Sequence, residues 1–252
     1  MKIVKKLTAP PWLALVLGIP AFCLMAMLMG AGLDDRNLFI PGHFAGILLW
    51  ILTSVMAVSA FLSVRSCGGK AKYGRMFPAD TPAACGILAA AVATAWNAWS
   101  IWRSNSDILD LAVVILGLAA VGSLVYLAWC RFRGLRGSFL LWSVATAYLM
   151  LRLMLCYRAW SAEPELLRYC FPLFASVCLT LAFYYRTAFS VGLGDRKKYL
   201  FFTQLGAFFC LVALGGGFDL FYLGMLTWCL LDLTSLRPFK AGAREEQPEE
   251  TV

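Results

Sequence analysis

The chain has 252 residues, 61% of them apolar and 14% charged, with a net charge of +8. Soluble domains hold about 45–50% apolar and about 25% charged residues, and a sphere of this length needs more polar cover than this chain carries. The composition excludes an ordinary soluble domain, a disordered chain and a nucleic-acid-binding domain, and it points to an integral membrane protein in the lipid bilayer.

A membrane span needs about 20 predominantly apolar residues, each rising about 1.5 Å. Such runs fall at 11–31, 43–64, 82–102, 107–130, 138–157 and 167–190. The apolar stretch 199–235 would reach roughly 55 Å as one helix, against a hydrocarbon core of about 30 Å. Gly215, Gly216 and Gly217 interrupt it and permit a reversal. The reading is therefore two short spans, 199–215 and 219–235, which stand nearly upright or thin the bilayer. The expected fold is all-α: a polytopic transmembrane bundle of about eight helices, arranged as four consecutive hairpins. Residues 1–10 form an N-terminal segment, 11–235 a single helical domain and 236–252 an acidic, disordered tail. The first apolar run is longer than a signal-peptide core and precedes no small-x-small site, so it is read as an uncleaved span.

Charge orients these spans. With the N-terminus inside, the inner segments hold Lys2, Lys5 and Lys6, then Arg65, Lys70, Lys72 and Arg75, then Arg131, Arg133 and Arg136. They also hold Arg186, Arg196, Lys197 and Lys198, and finally Arg237, Lys240 and Arg244. The outer turns carry only Arg36, Arg103, Arg158 and Arg168. Such a bias is the positive-inside pattern, and it places both termini in the cytoplasm. The basic inner face is expected to meet anionic lipids.

Acids run the other way: Asp34, Asp35, Asp107, Asp110, Glu163, Glu165 and Asp219 cluster at outer turns. Asp107, Glu163 and Asp219 each open an even-numbered helix, where a carboxylate meets free N–H groups and the positive end of the dipole. Val92-Ala93-Thr94-Ala95-Trp96 and Val144-Ala145-Thr146-Ala147-Tyr148 echo one another, which suits a duplicated two-helix unit. The third helix is rich in small residues from Ala84 to Ala95, and this places it at the bundle centre. Trp96, Trp99, Trp102 and Trp160 form an outer aromatic belt, and Trp12, Trp129 and Trp142 an inner one. Asp232 lies near the inner end of the last helix, where it should snorkel or meet a basic side chain.

Arg152 is the most informative residue. It lies roughly 7–8 Å below the outer end of the fifth span by helix rise, where a guanidinium is costly unless paired or hydrated. Asn97 on the third span lies at a similar depth, and Tyr148 is one turn away on the same face as Arg152. Asp34, Asp107 and Glu163 in the outer turns are within plausible reach. These six residues are the candidate ligand-binding set, an outward-facing polar pocket in which Arg152 receives an anionic group. The alternative for Arg152 is a structural ion pair.

Other chemistry is sparse. Eight of nine cysteines lie in or beside apolar runs, where free Cys packs as a small hydrophobe. No CxxC pair, HExxH motif, GxSxG elbow or phosphate-binding glycine loop occurs, so no metal or cofactor is expected. His43 follows Pro41-Gly42 and reads as an interfacial cap. Gly192-Leu193-Gly194-Asp195 resembles the GxGD signature of intramembrane aspartic peptidases, and Asp34 followed by Ile40-Pro41 resembles a second element of that family. The resemblance implies a carboxylate dyad, which needs its members about 3 Å apart; the topology above puts Asp34 outside and Asp195 inside. Through Tyr157-Arg158-Ala159-Trp160-Ser161 and Tyr169-Cys170-Phe171 the chain also resembles a group of uncharacterised bacterial eight-helix membrane proteins with no established activity.

The sequence thus reads as a multi-pass protein of the bacterial inner membrane that binds, moves or senses a small solute near Arg152. The alternatives are an aspartic peptidase-like enzyme and a membrane anchor or regulatory subunit. Labelling of cysteines from the periplasm tests the orientation: a cysteine placed in the 103–106 turn should react in intact cells, and Cys67 should react only after lysis.

Overall fold

The computed structural model describes residues 10–32, 43–65, 76–77, 79–104, 108–161, 166–218 and 220–236. Among them are eight α-helices: α1 (Pro10–Ala31), α2 (Phe44–Arg65), α3 (Thr81–Ser104), α4 (Ile108–Arg133), α5 (Phe139–Trp160), α6 (Leu166–Ser190), α7 (Arg196–Gly215) and α8 (Leu220–Ser235). Seven of these are long and apolar enough to cross a membrane, and α8 is a shorter apolar helix of 16 residues. The chain is an all-α protein with the features of a multi-pass membrane protein. Val92 and Leu140 are each 69% exposed and Met154 67%, side chains that water would penalise and lipid tails accept. The acidic tail 236–252 lies outside the described residues except for Leu236.

Each helix from α3 to α8 packs on the next, and α8 returns to pack on α3, so these six close into a ring. Helix α1 lies against α7, α2 and α8, and α2 against α1 and α7. The most enclosed helix is therefore α7, not α3: 67% of the α7 span is buried against 50% of the α3 span. The small residues of α3 serve close approach to both α4 and α8: a Cβ at Gly117 of α4 would stand 3.1 Å from Ala98 Cβ. A Cβ at Gly86 would stand 3.1 Å from Leu231, and one at Gly224 of α8 would stand 2.7 Å from the Ala89 carbonyl oxygen. Without a hydrophobic drive between helices in lipid, this backbone proximity supplies the dispersion contact that holds α3 to α8.

The helix links sit where the chain permits reversal. Gly134, Gly192 and Gly217 have positive φ, the region where a Cβ is strained. We call the end of the bundle that carries the α3–α4, α5–α6 and α7–α8 turns the upper end, and the other the lower end. At the lower end Met76 and Phe77 dock on Phe189 and Tyr199. Trp142 is buried against Phe183 at 5.8 Å between centroids, so it belongs to the core and not to an aromatic belt. Trp12, Trp96, Trp99, Trp102 and Trp129 are exposed, as belt residues are.

The α3–α8 seam yields a paired test. Gly224→Ala should overpack against Ala89 and lower stability by about 1–3 kcal/mol. Gly46→Ala, with open space around its Cβ, should leave the melting temperature in detergent unchanged or raise it.

Candidate functional site

Four helices of the ring converge on Arg152. Helical spacing puts Tyr148 and Arg152 on one face of α5, and α3 presents Asn97 to both. The Tyr148 hydroxyl donates to Asn97 Oδ1 at 2.8 Å, and Arg152 Nε donates to the same oxygen at 3.1 Å. On the other side, an Arg152 terminal nitrogen donates to Ser176 Oγ of α6 at 3.2 Å. Ser176 Oγ lies 3.3 Å from the Tyr222 hydroxyl of α8, which also reaches the Pro172 carbonyl at 3.3 Å. The guanidinium carbon stands 3.7 Å from the centre of the Phe221 ring, a cation–π contact that gains strength away from water.

Arg152 is 4% exposed, and Asn97, Tyr148, Ser176, Phe221 and Tyr222 are all buried. Two of the six expected residues, Asn97 and Tyr148, meet the arginine. The carboxylates Asp34, Asp107 and Glu163 lie outside the described residues. Among the described residues, every partner of Arg152 is neutral. Ser176, Phe221 and Tyr222 complete the centre and were not expected from sequence. A hydroxyl or phenol in an apolar helix carries no mark of which neighbour it faces.

Phe221 and Tyr222 belong to the first turn of α8, whose free N–H groups add positive potential beside an already cationic group. Toward the upper end, three rings close over the same helices. Trp160 of α5 stacks on Tyr169 of α6 at 5.2 Å, and Phe218, just before α8, meets them edge-on at 5.9 and 5.8 Å.

A second polar centre occupies the lower end. The Tyr199 hydroxyl of α7 donates a short hydrogen bond to Asp232 Oδ2 of α8. Asp232 is fully buried, so it neither snorkels nor faces lipid. Arg131 donates to Ser235 Oγ at 3.2 Å, and Ser235 Oγ donates to the Asp232 carbonyl at 2.8 Å. Arg186 lies over the Phe77 ring at 3.2 Å and within 5.1 Å of the Trp142 ring centre. Arg131, Arg186 and Arg196, read from sequence as inner-segment charges, are all buried. The Phe77 ring lies against both the Arg131 and Arg186 guanidinium groups. Between the two centres, Thr146 and Thr187 hydroxyls meet at 3.1 Å, and Phe183 packs on Trp228 with centroids 4.3 Å apart.

The remaining motifs resolve locally. Asp195 caps α7: its Oδ1 accepts the Lys197 backbone N–H at 3.0 Å, and Oδ2 lies 3.9 Å from Lys198 Nζ. Gly192 makes the turn that precedes it, with φ of 84°. His43 Nδ1 accepts the Ala45 N–H at 3.3 Å at the start of α2, the cap expected of it. Comparisons with protein-family models, curated proteins and solved structures return no match for this chain.

The hydrogen-bond pattern separates two substitutions. Asn97→Leu removes the acceptor shared by Tyr148 and Arg152, leaving both donors unsatisfied at about 1–3 kcal/mol each. The melting temperature should fall by about 2–4 °C for each kcal/mol lost in a chain of this size. Arg152→Met leaves Tyr148 bonded to Asn97 and Ser176 beside Tyr222, while removing a buried charge. Apolar replacement of buried charge is often neutral or stabilising, so the Arg152→Met melting temperature should stay level or rise in detergent.

Proposed function

We propose that this is a bacterial inner-membrane protein that binds a small anionic solute at Arg152, as part of transport or sensing. In this reading its helices form four hairpins with both termini in the cytoplasm, and the upper end faces outward. The clustering of basic residues in the inner segments and of acids in the outer turns supports that orientation. It would stand with the eight-helix bacterial membrane proteins it resembles.

One observation carries the proposal: a guanidinium enclosed in the ring whose described partners are all neutral. A cation within a span is expensive, and it persists where it pairs, is hydrated or does work. Here the neighbours largely satisfy one another without it. Its planar fork suits a carboxylate or phosphate oxygen pair, and an ammonium would not supply that geometry. The nearby first turn of α8 favours the same sign of ligand. Trp160, Tyr169 and Phe218 close the outer approach, which makes the site an occluded one.

The tight closure around Arg152 also favours a second reading, a membrane anchor or regulatory subunit in which the guanidinium only ties α3, α5 and α6 together. Thermal unfolding in detergent with a panel of acetate, small dicarboxylates, sulfate and phosphate separates the two. At a hundredfold excess over its dissociation constant, a ligand adds about 2.7 kcal/mol to stability. At least one anion should raise the melting temperature of the wild type by several degrees and leave Arg152→Met unmoved. If every anion shifts both proteins alike, solute binding at Arg152 is dismissed and the anchor reading stands.

A further inference from the structure

A cleft of about 430 Å³ opens at the lower end, away from Arg152, lined by residues of α2, α6 and α7. Helices α2 and α6 both pack on α7 without packing closely on one another, which leaves the gap. Its cations are Arg65, the last residue of α2, and Lys197 and Lys198, in the first turn of α7. Its rings include Phe61, Phe201 and Phe202. The pairs Phe61 and Arg65, Lys197 and Phe201, and Lys198 and Phe202 are each four apart on a helix, hence on one face. In every pair the cation stands at the helix end and the ring about 6 Å deeper along the axis. Three charges at one level therefore sit above three rings at the next.

We propose that this cleft is a binding site for one anionic glycerophospholipid. The phosphate meets Arg65, Lys197 and Lys198, and the glycerol backbone and first methylenes lie on Phe61, Phe201 and Phe202. The charge balance fits an anion. No carboxylate is among the described residues that line the cleft, and the neighbouring Asp195 is turned to the Lys197 N–H and to Lys198 Nζ. Tyr185 stiffens the wall: it stacks on Phe202 with centroids 5.7 Å apart and planes 7° from parallel, and Lys198 Nζ stands 5.7 Å from its ring. The occupant comes from the bilayer because Phe61, on the cleft wall and within the apolar span Phe44–Arg65, is 59% exposed. The volume falls within the range of small-ligand sites, roughly 300–1,000 Å³, enough for the head and neck of a lipid whose tails run outside along the bundle.

The experiment uses the full chain in detergent, with bound lipid counted by native mass spectrometry against phosphatidylglycerol and phosphatidylcholine. Each cation near a surface is worth a factor of about five in lipid affinity. The variant Arg65→Gln/Lys197→Gln/Lys198→Gln should therefore lose phosphatidylglycerol binding by about a hundredfold. The charge-matched variant Arg133→Gln/Lys240→Gln/Arg244→Gln should retain it. Equal retention by the two variants overturns the proposal, since diffuse attraction to the basic face would then suffice. Displacement of the lipid by millimolar inorganic phosphate also overturns it, in favour of a soluble phosphate. A photocrosslinker at position 61 gives a readout that keeps the three cations: capture of phosphatidylglycerol and not phosphatidylcholine is expected, and equal capture of both refutes a headgroup site.

Discussion

Hydrocarbon offers a helix neither hydrogen bonds nor a reason to leave for another helix, and this dual indifference governs the whole molecule. Each backbone satisfies itself by becoming helical. Association must then come from dispersion at close range and from polar contacts made inside the bundle. The chain uses both devices. Gly86 and Gly224 let α3 and α8 close the ring, while Asn97, Ser176 and Tyr222 tie α3, α6 and α8 to Arg152 on α5. The apolar side chains that a soluble protein would hide are turned outward on the same helices.

The ring interior is accordingly zoned. Arg152 and its neutral partners occupy one end, and Tyr199, Asp232 and the nearby arginines the other. Phe183 and Trp228 lie between them with Trp142 alongside. The two centres differ in kind. At the lower one the Asp232 carboxylate accepts from the Tyr199 hydroxyl, and Arg131, Arg186 and Arg196 are buried at the same end. At the upper one the described partners of Arg152 are neutral dipoles that also bond one another.

Sequence alone conveys the spans to within a few residues, because an apolar run of about 20 residues has few other uses. The errors fall at charged ends. α4 continues to Arg133 and α7 begins at Arg196, so arginines that sequence reading treats as loop boundaries are helical, and Arg131 and Arg196 are buried as well. Arg152, Asn97 and Tyr148 were legible from helical spacing and matched depth. Ser176 was not, since the hydroxyls of Thr146, Thr180 and Thr187 also sit in apolar helices and donate to their own carbonyls four residues back. Only the ring closure that brings α6 and α8 together sets Ser176 apart. The centrality of α7 was hidden for a related reason: small residues mark where two helices touch, and they do not report how many neighbours a helix has.

The triangle of Trp160, Tyr169 and Phe218 has a consequence in time as well as in space. The three rings belong to segments at the upper ends of α5, α6 and α8, and they contact one another at 5.2 to 5.9 Å. If Arg152 takes a solute as proposed, one arriving from that side waits for these rings to part. The frequency of that opening sets its arrival rate, in place of diffusion through water. The same rings delay departure. Under that proposal the site would equilibrate slowly in both directions, so a brief assay would register a weak ligand where a long incubation finds a retained one.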